Sequence, residues 1–163
     1  FLGGAGFGVW VARLPSIRDD LGVNIAEVGI LGFAVPAGSI VGIALASPLL
    51  LRLGSRRSLI AAMIGMSGGL SLIGLGSSML HSFAVVFAAL LFTGVMLGFS
   101  DVVMNVEGAA AERALGRALL PRLHAGLTLG VVCASLWGAA SSRAGWSAFA
   151  YFLPASAFMA LRT

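Results

Sequence analysis

The chain has 163 residues, 59% of them hydrophobic and only 10% charged, with a mean hydropathy of +1.03. Soluble domains carry about 25% charged residues, so this chain cannot cover a water-facing surface. Its ten basic residues are all arginine and the net charge is +4, but the arginines fall in short clusters between apolar blocks, which excludes a nucleic-acid-binding patch and is the habit of membrane-protein loops. Six helical spans are predicted in chain order: Phe1–Leu14 (truncated), Val28–Leu51, Ser58–Ser77, Phe83–Val106, Leu123–Ser141 and Trp146–Leu161. Crossing a bilayer takes about 20 mostly apolar residues. Only helices and closed barrels satisfy the backbone in lipid, and these runs are too long and continuous for barrel strands. The expected fold class is therefore an all-α integral membrane bundle of six helices.

Phe1 already stands inside an apolar run with no basic leader before it, which is unlike a signal peptide. The final AFMALRT closes another apolar run. The expectation is that residues 1–163 form one transmembrane bundle, a fragment cut at both ends. Arginine counting sets the orientation. The second and fourth connections carry six arginines (Arg52, Arg56, Arg57, Arg113, Arg117, Arg122), against three in the first, third and fifth (Arg13, Arg18, Arg143). The bias puts the second and fourth connections in the cytoplasm. Trp10, Trp137 and Trp146 are then expected at the outer interface, where amphipathic rings settle. Gly126, Gly130, Ala134 and Gly138, and likewise Gly38, Gly42 and Ala46, recur every four residues and are expected to let helix backbones approach closely. Cys133, the single cysteine, excludes an intrachain disulfide and is expected to be a small packed residue.

The chemistry-bearing signal is in the fourth span. Gly94, Gly98, Asp101, Asn105, Gly108 and Glu112 are spaced by three or four and share one helical face. A carboxylate in an apolar span costs several kcal/mol by most scales and normally faces a bundle interior or a wet cavity. Three roles are open for Asp101. A proton carrier alternates between a neutral and an ionised form, which burial and water respectively favour. A structural acid holds a nearby arginine such as Arg52, Arg56 or Arg113. A substrate ligand accepts hydrogen bonds from a polar or cationic solute. Asn105 donates and accepts, and so orients Asp101 or pins a neighbouring helix. Two further candidates are His124, a proton relay or an interfacial helix start, and Arg13, which meets an anionic solute or pairs with Asp19, Asp20 or lipid phosphate. No nucleophile–base arrangement, phosphate loop or metal-spaced cluster is visible, and no cofactor is expected.

At this point the chain resembles the amino-terminal half of the major facilitator superfamily over essentially its whole length. The family's loop after the second span, G-x-x-x-D-R-x-G-R-R, is matched by Arg52, Gly54 and Arg56. Ser47, Leu51 and Ser55 stand where the motif has glycine, acid and the first paired arginine, and Arg57 follows. The resemblance is closer to the fucose-permease-like branch, which also has an acid four residues before an asparagine late in the fourth span, here Asp101 and Asn105. That branch's second acid would fall near Val11. The resemblance implies twelve spans in two halves, each of two inverted three-helix repeats. It makes the loop arginines and Glu112 candidates for a cytoplasmic gate and Asp101 a coupling group.

The expected function is secondary active transport of a small solute, proton-coupled, as a symporter of a bacterial inner membrane, by alternating access. The expected partners are the solute, protons, the bilayer and a carboxy-terminal half of the same transporter, with no nucleic acid. Two rivals stand beside it. One is a membrane-embedded enzyme in which His124, Glu112 and Asp101 converge; the other is a non-transporting membrane scaffold.

Overall fold

Apolar runs that find no hydrogen-bond partner in lipid must close their backbone bonds internally, and six helices result. The computed structural model describes residues 1–161. α1 spans Leu2–Leu21, α2 Ile25–Leu53, α3 Ser55–Ser78, α4 Phe83–Leu115, α5 Leu120–Arg143 and α6 Ala148–Leu161, with no strand among the described residues. α2, α3, α4 and α5 are each long and apolar enough to cross a membrane. Arg162 and Thr163, which close the predicted last run, lie outside the described residues.

Two helices run further than their apolar stretches. α1 continues past Leu14 and through Pro15 to Leu21, and α4 continues past Val106 to Leu115. Arg18, Asp19, Asp20, Glu107, Glu112 and Arg113 are therefore helical, not loop residues. Alanine, glutamate and arginine are good helix formers, so hydropathy marks where lipid stops and not where the helix does. At 1.5 Å per residue, the 33 residues of α4 reach about 50 Å, well beyond the ~30 Å hydrocarbon core. The actual ends are marked by local chemistry. Gly22 and Gly116 close α1 and α4 in the left-handed conformation. Asn24 and Glu27 form a reciprocal capping box that starts α2.

Glycines decide the packing. A Cβ on Gly4 or Gly8 of α1 would overlap the carbonyls of Leu127 and Val131 in α5; one on Gly94 or Gly98 of α4 would overlap those of Val35 and Ser39 in α2. In return Gly130 presses on the Phe1 carbonyl and Gly38 on that of Leu91. The spacing from Leu127 to Gly130 equals that from Val35 to Gly38, and the spacing from Phe1 to Gly4 equals that from Leu91 to Gly94. The α1–α5 and α4–α2 contacts are thus one interface used twice. Exchanging α1 with α4 and α2 with α5 also leaves α3 against α6, where the two pack. The bundle is two three-helix units, inverted because successive helices alternate in direction. On this equivalence Asp101 corresponds to Val11, and Asn105 to Pro15.

The core lies between these units. Leu31, Met66, Leu70, Ile73, Leu90, Tyr151 and Phe152 are wholly buried. Serines tie α3 to α6, Ser67 Oγ donating to the Ser156 carbonyl at 2.6 Å and Ser71 Oγ to Ser156 Oγ at 2.9 Å. In a bilayer, where association gains little from the hydrophobic effect, such close packing and hydrogen bonds hold the helices together.

Candidate functional site

Asp101 is partly buried on α4 and lines two adjoining cavities. The larger, about 490 Å³, is walled by α1, α3, α4 and α5 and includes Arg56, Met63, Ser100 and Met104. The smaller, about 280 Å³, lies between α1, α2, α4 and α5 and includes Phe7, Ser39 and Ile43. Gly3, Leu97, Asp101 and Leu127 belong to both, so the carboxylate stands where the two spaces meet.

The polar face of α4 divides its work. Gly94 and Gly98 face α2, and a Cβ on Gly108 would meet Leu120 and Leu123 of α5. Asn105 Nδ2 donates to the backbone carbonyl of Asp101 at 2.9 Å. Its amide is used within its own helix, and among the described residues it bonds neither the Asp101 carboxylate nor another helix. Glu112 pairs with no loop arginine among the described residues. It accepts from the Leu119 and Leu120 backbone N–H groups at 2.6 and 2.8 Å. α5 has no side-chain cap of its own, and its first turn presents unpaired donors to which a carboxylate binds well. Glu112 therefore caps the next helix.

The loop motif is a one-residue joint. Gly54, with φ 73°, separates α2 from α3, a backbone conformation glycine adopts without strain. Arg52, Arg56 and Arg57 are exposed, and Arg56 is the one that also lines the Asp101 cavity. Ser55, at the position of the motif's first paired arginine, donates its hydroxyl to Glu107 and so fastens the start of α3 to α4. Glu107 did not stand out in the sequence, because it follows the apolar run directly and reads as loop. Helical continuation of α4 is the signal that finds it.

Arg13 does not pair with the nearby acids: it is 2% exposed and bonds neither Asp19 nor Asp20. Its Nη1 donates to Ser142 Oγ at 2.7 Å, its Nη2 to the Trp146 carbonyl, and its guanidinium lies 5.2 Å from the centre of the Tyr151 ring. Arg13 Nε and Trp10 Nε1 are buried with no partner among the described residues. Trp10 is thus packed in the core, while Trp137 and Trp146 are exposed and meet edge to face at 5.3 Å. Asp20 accepts from Ser78 Oγ at 3.0 Å. Cys133, expected to be packed, is exposed on α5.

His124 is exposed, its ring nitrogen 3.0 Å from the Leu120 carbonyl. It meets Glu112 only through Leu120, one holding that residue's N–H and the other its carbonyl, and neither lines the cavities of Asp101. The three residues do not converge. Among the described residues no group of three His, Cys, Asp or Glu is placed to hold a metal.

No family model matches the chain, and no solved structure matches it. Two curated proteins are similar. An uncharacterized MFS-type transporter of Yersinia pestis is 28% identical over 130 residues, covering 80% of this chain and 33% of that protein. An uncharacterized transporter of Sinorhizobium fredii is 26% identical over 137 residues, covering 84% and 35%. Over four fifths of its length the chain is thus similar to proteins named as transporters, one of them of the MFS type. It spans about a third of the length of these relatives. Its six helices, four of them long and apolar enough to cross a membrane, fit a multi-pass membrane protein and one half of such a transporter.

Proposed function

We propose that this bundle is one wall of a secondary transporter that moves a small solute by alternating access, coupled to protons, in a bacterial inner membrane. A second, carboxy-terminal six-helix half supplies the opposite wall, and Asp101 is the coupling group. The observation that supports this is the position of Asp101 where two largely apolar cavities meet. A carboxylate there is poorly solvated when the cavities are dry and better solvated when water enters or Arg56 swings towards it. Opening to one side of the membrane and then the other therefore exposes the group to each face in turn. The relatives' names support a transporter over an enzyme.

The test is proton flux into proteoliposomes carrying the intact transporter, driven by gradients of a panel of amines, sugars and organic anions. The wild type is expected to move protons with one class of solute. Asp101→Asn is expected to abolish that flux while counterflow of the same solute persists. Unchanged coupling in Asp101→Asn removes the residue from this role.

A further inference from the structure

At the end of the bundle opposite the α2–α3 joint, the last turns of α1 face the α5–α6 connection across a cleft of about 300 Å³. Arg13, Asp19 and Asp20 line it from α1, with Ser142, Trp146 and Ser147 across from them. The charges in this cleft do not meet. Arg13 gives its two Nη groups to neutral acceptors, Ser142 Oγ and the Trp146 carbonyl, and its Nε has no partner among the described residues. A guanidinium that is 2% exposed has lost nearly all its water, and a charge in that state is costly until an opposite charge meets it. Two carboxylates line the same space, yet neither crosses it. Arg13 and Asp20 stand two turns apart on one side of α1, about 10 Å along its axis.

Each end of the cleft has its own chemistry. Ser142 Oγ accepts from Arg13, and Ser147 Oγ accepts from the Ala150 N–H at 3.2 Å, so both hydroxyls keep a proton to donate. A guanidinium on the floor with two hydroxyl donors above it suits an oxyanion. At the other end Asp19 is exposed, and Asp20 accepts only the Ser78 hydroxyl. Two carboxylates suit an ammonium that has N–H groups to give; a trimethylammonium has none. One cation against two carboxylates leaves the cleft negative, which disfavours a ligand that is only anionic. A zwitterion satisfies both ends. Its charges must stand several bonds apart, unlike those of an α-amino acid, which flank a single carbon. Trp146 and its edge-to-face neighbour Trp137 are exposed beside the cleft. Such rings settle where membrane meets water, so the cleft opens at the depth of the lipid headgroups.

We propose that this cleft binds the aminoethyl phosphate headgroup of a phospholipid, the phosphodiester on Arg13, Ser142 and Ser147, the ammonium on Asp19 and Asp20, and the glycerol beside Trp146. The site lies beyond the function proposed above and does not depend on it, since it requires only that the bundle sits in a bilayer. A lipid held there ties the end of α1 to the α5–α6 connection and supplies the counter-charge that Arg13 lacks.

Native mass spectrometry of the intact transporter, equilibrated in detergent with equal amounts of phosphatidylethanolamine, phosphatidylcholine and phosphatidylglycerol, tests this. The ethanolamine lipid is expected to be retained over each of the others by about tenfold, the worth of one hydrogen bond between charged groups. Asp19→Asn combined with Asp20→Asn is expected to abolish that preference. Asparagine still accepts from Ser78, so an unchanged melting temperature in detergent without lipid is expected to show that the variant is folded. Equal retention of the three lipids, retention of none (a cleft that holds water only), or a preference that survives in the double variant overturns the site. Displacement of the bound lipid by water-soluble glycerophosphoethanolamine as readily as by another ethanolamine lipid overturns the membrane source and assigns the cleft to a soluble zwitterion.

Discussion

Arg13 is a cation sealed from solvent whose partners are all neutral: a serine hydroxyl, a backbone carbonyl and a tyrosine ring. Breaking a buried salt bridge strands a counter-charge; removing this guanidinium does not. Arg13→Met keeps much of the volume and relieves the desolvation of the charge, but leaves the Trp146 carbonyl and Ser142 hydroxyl short of a donor. A loss of about 1 kcal/mol is expected. Arg13→Ala adds a cavity between α1, α5 and α6 and is expected to cost about 3 kcal/mol. Thermal unfolding in detergent distinguishes them, and equal losses would mean the side chain does not pack as described. Glu112→Ala, in contrast, is expected to act locally, speeding amide hydrogen exchange in the first turn of α5 while exchange in α3 stays unchanged. Neither role was legible in the sequence. The hydrogen-bond partners of Arg13 lie 129 and 133 positions away, whereas Asp19 and Asp20 lie close along the chain, and nearness in sequence pointed to them.

Between helices, the four-residue stripes of Gly38, Gly42 and Ala46 and of Gly130, Ala134 and Gly138 were legible as packing faces, because small residues at that spacing leave a groove on any helix. Their partners were not. Nothing along the chain says that Gly94 enters the groove of α2 while Gly4 enters that of α5, since that depends on how the two units fold over each other. The duplicated interface makes a paired prediction. Gly94→Ala drives a methyl into the Val35 carbonyl, and Gly4→Ala drives one into the Leu127 carbonyl. Each is expected to lower stability by about 2 kcal/mol through overpacking, with matching shifts in detergent melting. Gly68→Ala on α3 has open space around it and is expected to be neutral or slightly stabilising. If Gly68→Ala proved as harmful as the other two, close backbone approach would not be the reason for the glycines. The same duplication accounts for a feature of the site. Asp101 and Val11 hold equivalent places on α4 and α1, so the repeat offers two positions for an acid, and this chain uses one.

For the whole bundle, the six helices and their order were readable because lipid imposes one long apolar run per crossing. Their ends and the cavities were not, because charged helix formers continue a helix into water and a cavity depends on helices distant in sequence. Orientation is a separate physical question. Arg56 and Arg57 flank the α2–α3 joint and Arg117 the α4–α5 connection, whereas the opposite end of the bundle holds Arg13 buried and Asp19 and Asp20 near it. Exposed arginines are retained on the cytoplasmic side, and a buried one, sheltered from bulk water, adds little to that bias. Discounting Arg13 therefore widens the asymmetry already seen in the arginine counts. Single cysteines at the exposed positions Arg117 and Arg143 test the outcome, in a Cys133→Ser background because Cys133 is itself exposed. In intact cells a membrane-impermeant thiol reagent is expected to label Arg143→Cys, and to label Arg117→Cys only after permeabilisation. The reverse pattern would place the Asp101 cavity towards the outside.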